Sequence, residues 1–169
     1  YATLGGIGLT GIILEAKIQL RSVQSPWIHS ETIPYHNLDE FFALSDSSET
    51  DWEHTVSWID CMNGANAKGL FARGNLSSEH TQVEPKIKDK TFPITPPISL
   101  VNKLSLPIFN FAYFHGNSLK KQPKKVHYEP FFYPLDAMHE WNKMYGPKGF
   151  YQYQSVVPKE IGKEVTQEM

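Results

Sequence analysis

The residues best suited to chemistry are two glutamines two positions apart, Gln152 and Gln154. A glutamine amide offers two donors and an acceptor with two lone pairs, enough to orient a polar ligand by hydrogen bonds. The run Phe150 to Val157 predicts a strand. Side chains alternate across a strand, so Phe150, Gln152, Gln154 and Val156 share one face and Tyr151, Tyr153, Ser155 and Val157 the other. If the glutamine face is buried, its amides need partners; if it is the wet side of a half-exposed sheet, water supplies them. The pattern alone leaves both open.

A second candidate is Gly6-Ile7-Gly8-Leu9-Thr10-Gly11, which satisfies G-x-G-x-x-G. In a dinucleotide-binding unit that motif follows a strand and opens a helix, whose N-terminus meets the pyrophosphate. Here Leu14, Ala16, Ile18 and Leu20 come next, alternating with Glu15, Lys17, Gln19 and Arg21. That period of two predicts a half-buried antiparallel strand, so the Rossmann reading fails on context. The glycines then serve either a close approach of backbone to a cofactor or a tight helix-to-strand turn.

Other chemistries find no support. His29, His36, His54, His80, His115, His127 and His139 show no zinc-type spacing, and Asp136, His139 and Glu140 match no metal motif, so no metal is expected. There is no G-x-S-x-G elbow, P-loop or Cys/His nucleophile signature. The single cysteine, Cys61, rules out an internal disulfide framework and is expected to be a small buried hydrophobe. With 16 Lys+Arg against 18 Asp+Glu, the chain carries no general nucleic-acid footprint. Lys120, Lys121, Lys124 and Lys125 form the one basic run, read as a solvated loop. No apolar run reaches the roughly 20 residues of a membrane helix, and no signal peptide is seen. Asn75-Leu76-Ser77 fits a glycosylation sequon with nothing else to indicate secretion.

The elements that must position these groups are partly explicit. After Ser25-Pro26, Trp27 to Ile33 reads as a strand. Asn37 with Glu40 makes a capping-box start for a helix that buries Leu38, Phe41, Phe42 and Leu44. Trp52 to Cys61 is a strand with Val56, Trp58 and Asp60 on one face; Asp60 is expected to bind turn amides. Asn63-Gly64 supplies a turn and Gly69 to Gly74 the returning strand, a hairpin. From 75 to 107 the chain is irregular and rich in proline, with 78–98 expected to be its most mobile internal segment. Phe109, Phe111, Tyr113 and Phe114 are assigned to the core in preference to a ligand-stacking platform. Lys125 to Tyr133 is read as a strand leading to a helix capped by Asp136, with Met138, Trp141 and Met144 or Tyr145 on one face, stopped by Gly146-Pro147. At the ends, Tyr1 to Leu4 reads as the last turn of a helix, and Pro158 opens a helical spacing of Ile161, Val165 and Met169. The expectation is a piece of a longer protein, and the fold class α+β: an antiparallel β-sheet flanked by helices.

Three motifs carry a family resemblance. They are F-x-P-L-D, E-W-N-x-x-Y-G-P-x-G-F and Y-Q-x-x-x-P, met at Pro134, Leu135, Asp136, Glu140, Trp141, Asn142, Tyr145, Gly146, Pro147, Gly149, Phe150, Gln152, Tyr153, Gln154 and Pro158. A fourth, G-G-x-G-L-T-G-I-I, is met at Gly5, Gly6, Gly8, Leu9, Thr10, Gly11, Ile12 and Ile13. Together they resemble the FAD-dependent oxidases of the vanillyl-alcohol-oxidase-type superfamily, in particular the bacterial decaprenylphosphoryl-ribose 2'-oxidases. The resemblance implies that residues 1–22 are the tail of an FAD-binding domain and 23–169 a truncated substrate-binding (cap) domain. It places Gly6, Gly8, Thr10, Gly11 and Ile12 against the adenine end of FAD, and Gln152 and Gln154 before substrate and flavin. Phe132 occupies the column of a family tyrosine, with Tyr133 one residue late, so both are carried as substrate contacts. No catalytic residue is assigned. The implied reaction is hydride transfer from a sugar or alcohol carbinol to flavin N5. The implied partners are a small-molecule or lipid-linked sugar, a peripheral membrane contact and a second subunit or reductase, at a cytoplasmic or inner-membrane location. As an alternative to being a solvated loop, the basic run at Lys120, Lys121, Lys124 and Lys125 would meet the anionic group of such a lipid-linked sugar. The competing expectations are an alditol or aldonolactone oxidase of the same superfamily, and a stand-alone binding module without flavin chemistry.

Overall fold

The computed structural model describes residues 3–79, 90–120, 122–136 and 138–168. Its centre is an antiparallel four-stranded sheet in the order β2-β3-β1-β5, where β1 is Trp27–Tyr35, β2 His54–Ile59, β3 Gly69–Leu76 and β5 Lys124–His127. β1 pairs with β3 from Ile28↔Leu76 to Tyr35↔Gly69, and with β5 from Trp27↔His127 to Ser30↔Lys124. The expected hairpin is present: β2 pairs with β3 from His54↔Gly74 to Ile59↔Gly69. Its connection is a 3-10 turn, Cys61–Asn66, in which the Asp60 carboxylate accepts from the Met62 amide at 3.3 Å. A second, two-stranded parallel pair joins β4, Lys90–Thr91, to β6, Met138–His139. The chain is α+β, with an antiparallel sheet flanked by helices.

One face of the sheet is closed by α1, Leu38–Ser48. Its start is a reciprocal cap: Asn37 Oδ1 accepts from the Glu40 amide at 2.8 Å, and the Glu40 carboxylate accepts from the His36 amide at 2.7 Å. Phe41 then packs between Tyr35 and Phe71, with ring centroids 5.5 and 5.9 Å away. Tyr35 is fully buried, and burial pushes its phenol up to about 12, although Ser57 at 3.0 Å works the other way. A raised folded-state value means stability is intact below the unfolded tyrosine's pH of about 10 and is lost as pH climbs to about 12. The unfolding free energy from a pH series of urea titrations is therefore expected to fall across that window by at most roughly 3 kcal/mol, and Tyr35→Phe to remove that component.

Several expectations are corrected. Residues 14–21 and 150–157 lie outside any strand and are largely exposed. A strand exists through the ladder it makes, and among the described residues neither alternating run has a neighbouring strand. Phe150 instead joins the rings of Tyr145 and Trp141, at 4.2 and 5.1 Å. The helix expected from Asp136 is reduced to a 3-10 turn, Trp141–Tyr145, entered through Glu140 at φ 56° and ended by Gly146 at φ 71°. Met138 and His139 pair with β4 instead. Beyond β5 the chain turns into α3, Tyr128–Phe132, because Pro130 cannot donate to a ladder but is tolerated in a first helical turn. The irregular stretch ends early, at α2, Ser105–Ser118. Of the four aromatics assigned to the core, only Phe114 is buried; Phe109, Phe111 and Tyr113 are exposed. Cys61 is exposed as well, since it opens the 3-10 turn rather than facing the sheet.

The helical spacing after Pro158 is met by a 3-10 turn, Lys159–Ile161, and α4, Gly162–Glu168. Residues 80–89 of the expected mobile segment, together with Tyr1, Ala2, Lys121 and Met169, lie outside the described residues.

Candidate functional site

The other face of the sheet is only partly covered. Pairing and alternation put Ser30, Thr32, Val56, Trp58, Leu70, Ala72, Lys124 and Val126 on this side. α2 crosses one part of it and α3 another. α2 is pinned by Asn110, whose side-chain amide donates to Asp60 Oδ1 at 2.8 Å with both residues buried. Phe131 of α3 is buried over Gly74. Between the two helices lies a cleft of about 560 Å³, a size typical of small-molecule sites.

The walls differ in character. Trp58 and Tyr113 meet at 4.9 Å and Phe109 stacks on Tyr113 at 5.7 Å, giving an aromatic wall. Pro134 and Leu135 supply apolar surface opposite. Polar groups gather toward β5: Thr32, Asn117, Gln122 and Lys124. Gln122 accepts from the Thr32 amide at 3.2 Å, which ties the loop before β5 to the sheet. Burial, and then the neighbouring Lys120, hold the Lys124 ammonium below the usual lysine range. This arrangement can bind and orient: rings stack on a sugar or a planar group, while amides and an ammonium meet polar ends. Among the described residues the walls carry Lys124 and Tyr113 as titratable groups and no carboxylate or histidine.

The expected site residues are not gathered here. Phe132 turns to the other side of α3, 5.0 Å from His54, where both line a second, mostly apolar hollow of about 470 Å³ with Arg21, Leu76 and Tyr128. Tyr133, Gln152 and Gln154 are exposed and line neither cleft. Gly6, Gly8, Thr10, Gly11 and Ile12 sit in or beside a turn closed by the Leu9 amide on the Gly6 carbonyl at 2.8 Å. A Cβ added at Gly8 or Gly11 would meet nothing within 4 Å, so this turn makes no cofactor cradle by itself. Sequence reasoning missed the cleft because its walls come from distant positions. The legible signals were the alternation that put Val56 and Trp58 on a shared face and the aromatic cluster around Phe109 and Tyr113, for which a stacking platform was the lesser reading.

Comparison with known proteins supplies the context. No protein-family model matches the chain. It is 32% identical over 177 aligned positions to decaprenylphosphoryl-beta-D-ribose oxidase of Mycolicibacterium smegmatis (strain ATCC 700084 / mc(2)155), covering 97% of this chain and 38% of that protein. The chain thus spans well under half the length of this curated relative. Over almost its whole length, it is a relative of one segment of a decaprenylphosphoryl-beta-D-ribose oxidase, as the sequence motifs implied.

Proposed function

We propose that this chain forms substrate-domain structure in an FAD-linked oxidoreductase that oxidises a carbinol of a lipid-linked sugar. Its similarity to the oxidase across 97% of its residues carries the reading. The cleft agrees with it, having the size and the mixed aromatic and polar lining of a small-molecule site. When bound, the flavin supplies the hydride acceptor. The glycine turn does not cradle a cofactor within this chain, so the flavin's seat is assigned to the remainder of the longer protein, with Gly6 to Ile12 adding only its edge. Trp58 and Tyr113 stack on the sugar, and Asn117 and Gln122 orient its hydroxyls. Gln152 and Gln154 complete the site only once the rest of the protein lies against them. An alditol or aldonolactone is the competing substrate, and Phe132, standing where the family has a tyrosine, leaves the choice between them to experiment.

Gln154→Ala in the full-length protein tests the glutamine assignment. Gln154 is exposed in this chain, so its loss is expected to leave the thermal midpoint unchanged. Losing one hydrogen bond to substrate costs about 0.5–1.5 kcal/mol, so kcat/KM should fall a few-fold to about tenfold. Unchanged kcat/KM at unchanged stability removes Gln154 from the site. A large fall in midpoint makes it structural instead.

A further inference from the structure

We propose that the outer face of α2 seats the protein on an anionic lipid bilayer, beside the mouth of the cleft. The face is continuous: Leu104, Ile108, Phe111, His115 and Leu119 recur every three or four residues, and Leu104 and Leu119 keep helical backbone at the two caps. Its four apolar members are 79, 68, 60 and 86% exposed. Asn110 and Phe114, on the opposite side of the same helix, are the residues buried against the rest of the chain. Nothing from Leu104 to Leu119 carries a formal charge, and a helix that is apolar on its outward side needs a cover.

Charge decides which cover. Between Asp89 and Glu129 the sequence has no acidic residue and six lysines, Lys90, Lys103, Lys120, Lys121, Lys124 and Lys125. The rest of the chain is left with ten basic against eighteen acidic residues, a formal −8. Lys103 and Lys120 bracket the helix directly. Lys125 is paired with Glu79, which leaves Lys103 and Lys120 at the two ends of the stripe. An apolar stripe between these cations in an otherwise acidic chain complements a negatively charged lipid surface, and a second copy would bring its own lysines against these. At fourteen residues, about 21 Å, α2 is too short to cross a bilayer, and no described helix is long and apolar enough to do so. It lies in the interface instead. Phe109, Tyr113 and Asn117, along a third side of α2, line the cleft, so a ligand with a lipid tail would enter next to the membrane. The proposal does not depend on flavin chemistry.

The test is flotation of the full-length protein, and of this chain, with vesicles of phosphatidylcholine with or without phosphatidylglycerol. Binding is expected with phosphatidylglycerol and to weaken with added salt. The double substitution Ile108→Asp, Phe111→Asp should reduce it at least tenfold, and Lys103→Ala, Lys120→Ala several-fold, whereas Phe111→Leu should retain it. Thermal midpoints should be unchanged throughout, because these side chains point away from the sheet. Failure to float with phosphatidylglycerol vesicles, or flotation indifferent to the aspartates, overturns the proposal. So does a dimer dispersed by Phe111→Asp in the absence of lipid binding, which gives the face to a second copy. Flotation of this chain but not of the full-length protein gives the face to the rest of the polypeptide and equally overturns it.

Discussion

Gly69→Ala is expected to destabilise the chain by about 3 kcal/mol or more, read as a fall in the urea midpoint. Gly69 lies in the sheet interior, opposite both Tyr35 and Ile59. A Cβ there would collide with the Tyr35 ring and hydroxyl and with the Trp58 carbonyl oxygen. The carbonyl belongs to the neighbouring strand and cannot swing aside, and Tyr35 is fully buried beneath α1. Relief therefore requires parting the hairpin or expelling the tyrosine, and domains of this size have only about 5–15 kcal/mol in total. Gly116→Ala is the internal control. Nothing lies within 4 Å of its added Cβ, and it sits inside α2, so that variant should gain about 0.5–1 kcal/mol. Equal effects of the two substitutions would show that the sheet does not close around Tyr35 as described.

Trp58→Ala is expected to lower kcat/KM of the full-length protein at least tenfold, about 1.4 kcal/mol. The indole forms the floor of the aromatic wall and meets Tyr113 at 4.9 Å, so truncation removes the largest flat surface in the cleft and loosens α2 above it. Stability should fall too, by about 2 kcal/mol, since Trp58 is only half-buried. Two companions separate the causes. Trp58→Phe keeps a stacking surface and should recover most of the activity. Tyr113→Ala removes a more exposed ring and should impair substrate binding with little loss of stability. Full activity in Tyr113→Ala and Trp58→Ala alike would remove the cleft from the reaction.

How far the sequence could be read follows from what each signal encodes. The Asn37 cap and the hairpin were legible because a capping pair and a turn each fix local backbone and their partners lie nearby in the chain. The strand read from Trp27 to Ile33 was legible only as a strand, its partners β3 and β5 being distant in sequence. The runs 14–21 and 150–157 alternate just as cleanly, yet alternation says only which side chains share a face and not what they pair with. Asp136 offered a plausible cap, but Met138 and His139 were drawn into a ladder with Lys90 and Thr91, a contact no local pattern announces. The cleft was hidden for the same reason: Trp58 and Tyr113 become neighbours only because Asn110 reaches Asp60 and lays α2 across the sheet. The motif around Gly146 marked where the turn Trp141–Tyr145 ends, whereas that around Gln154 carried family information and not the geometry of this chain, where both glutamines face solvent.

The most direct test of the central claim is anaerobic mixing of the full-length, flavin-loaded protein with the proposed lipid-linked sugar while flavin absorbance is followed. The account predicts rapid bleaching of the oxidised flavin by the sugar, slowed at least tenfold by Trp58→Ala. A full-length protein that binds FAD yet is not reduced by the sugar, or is reduced at the same rate when Trp58 is alanine, would contradict it.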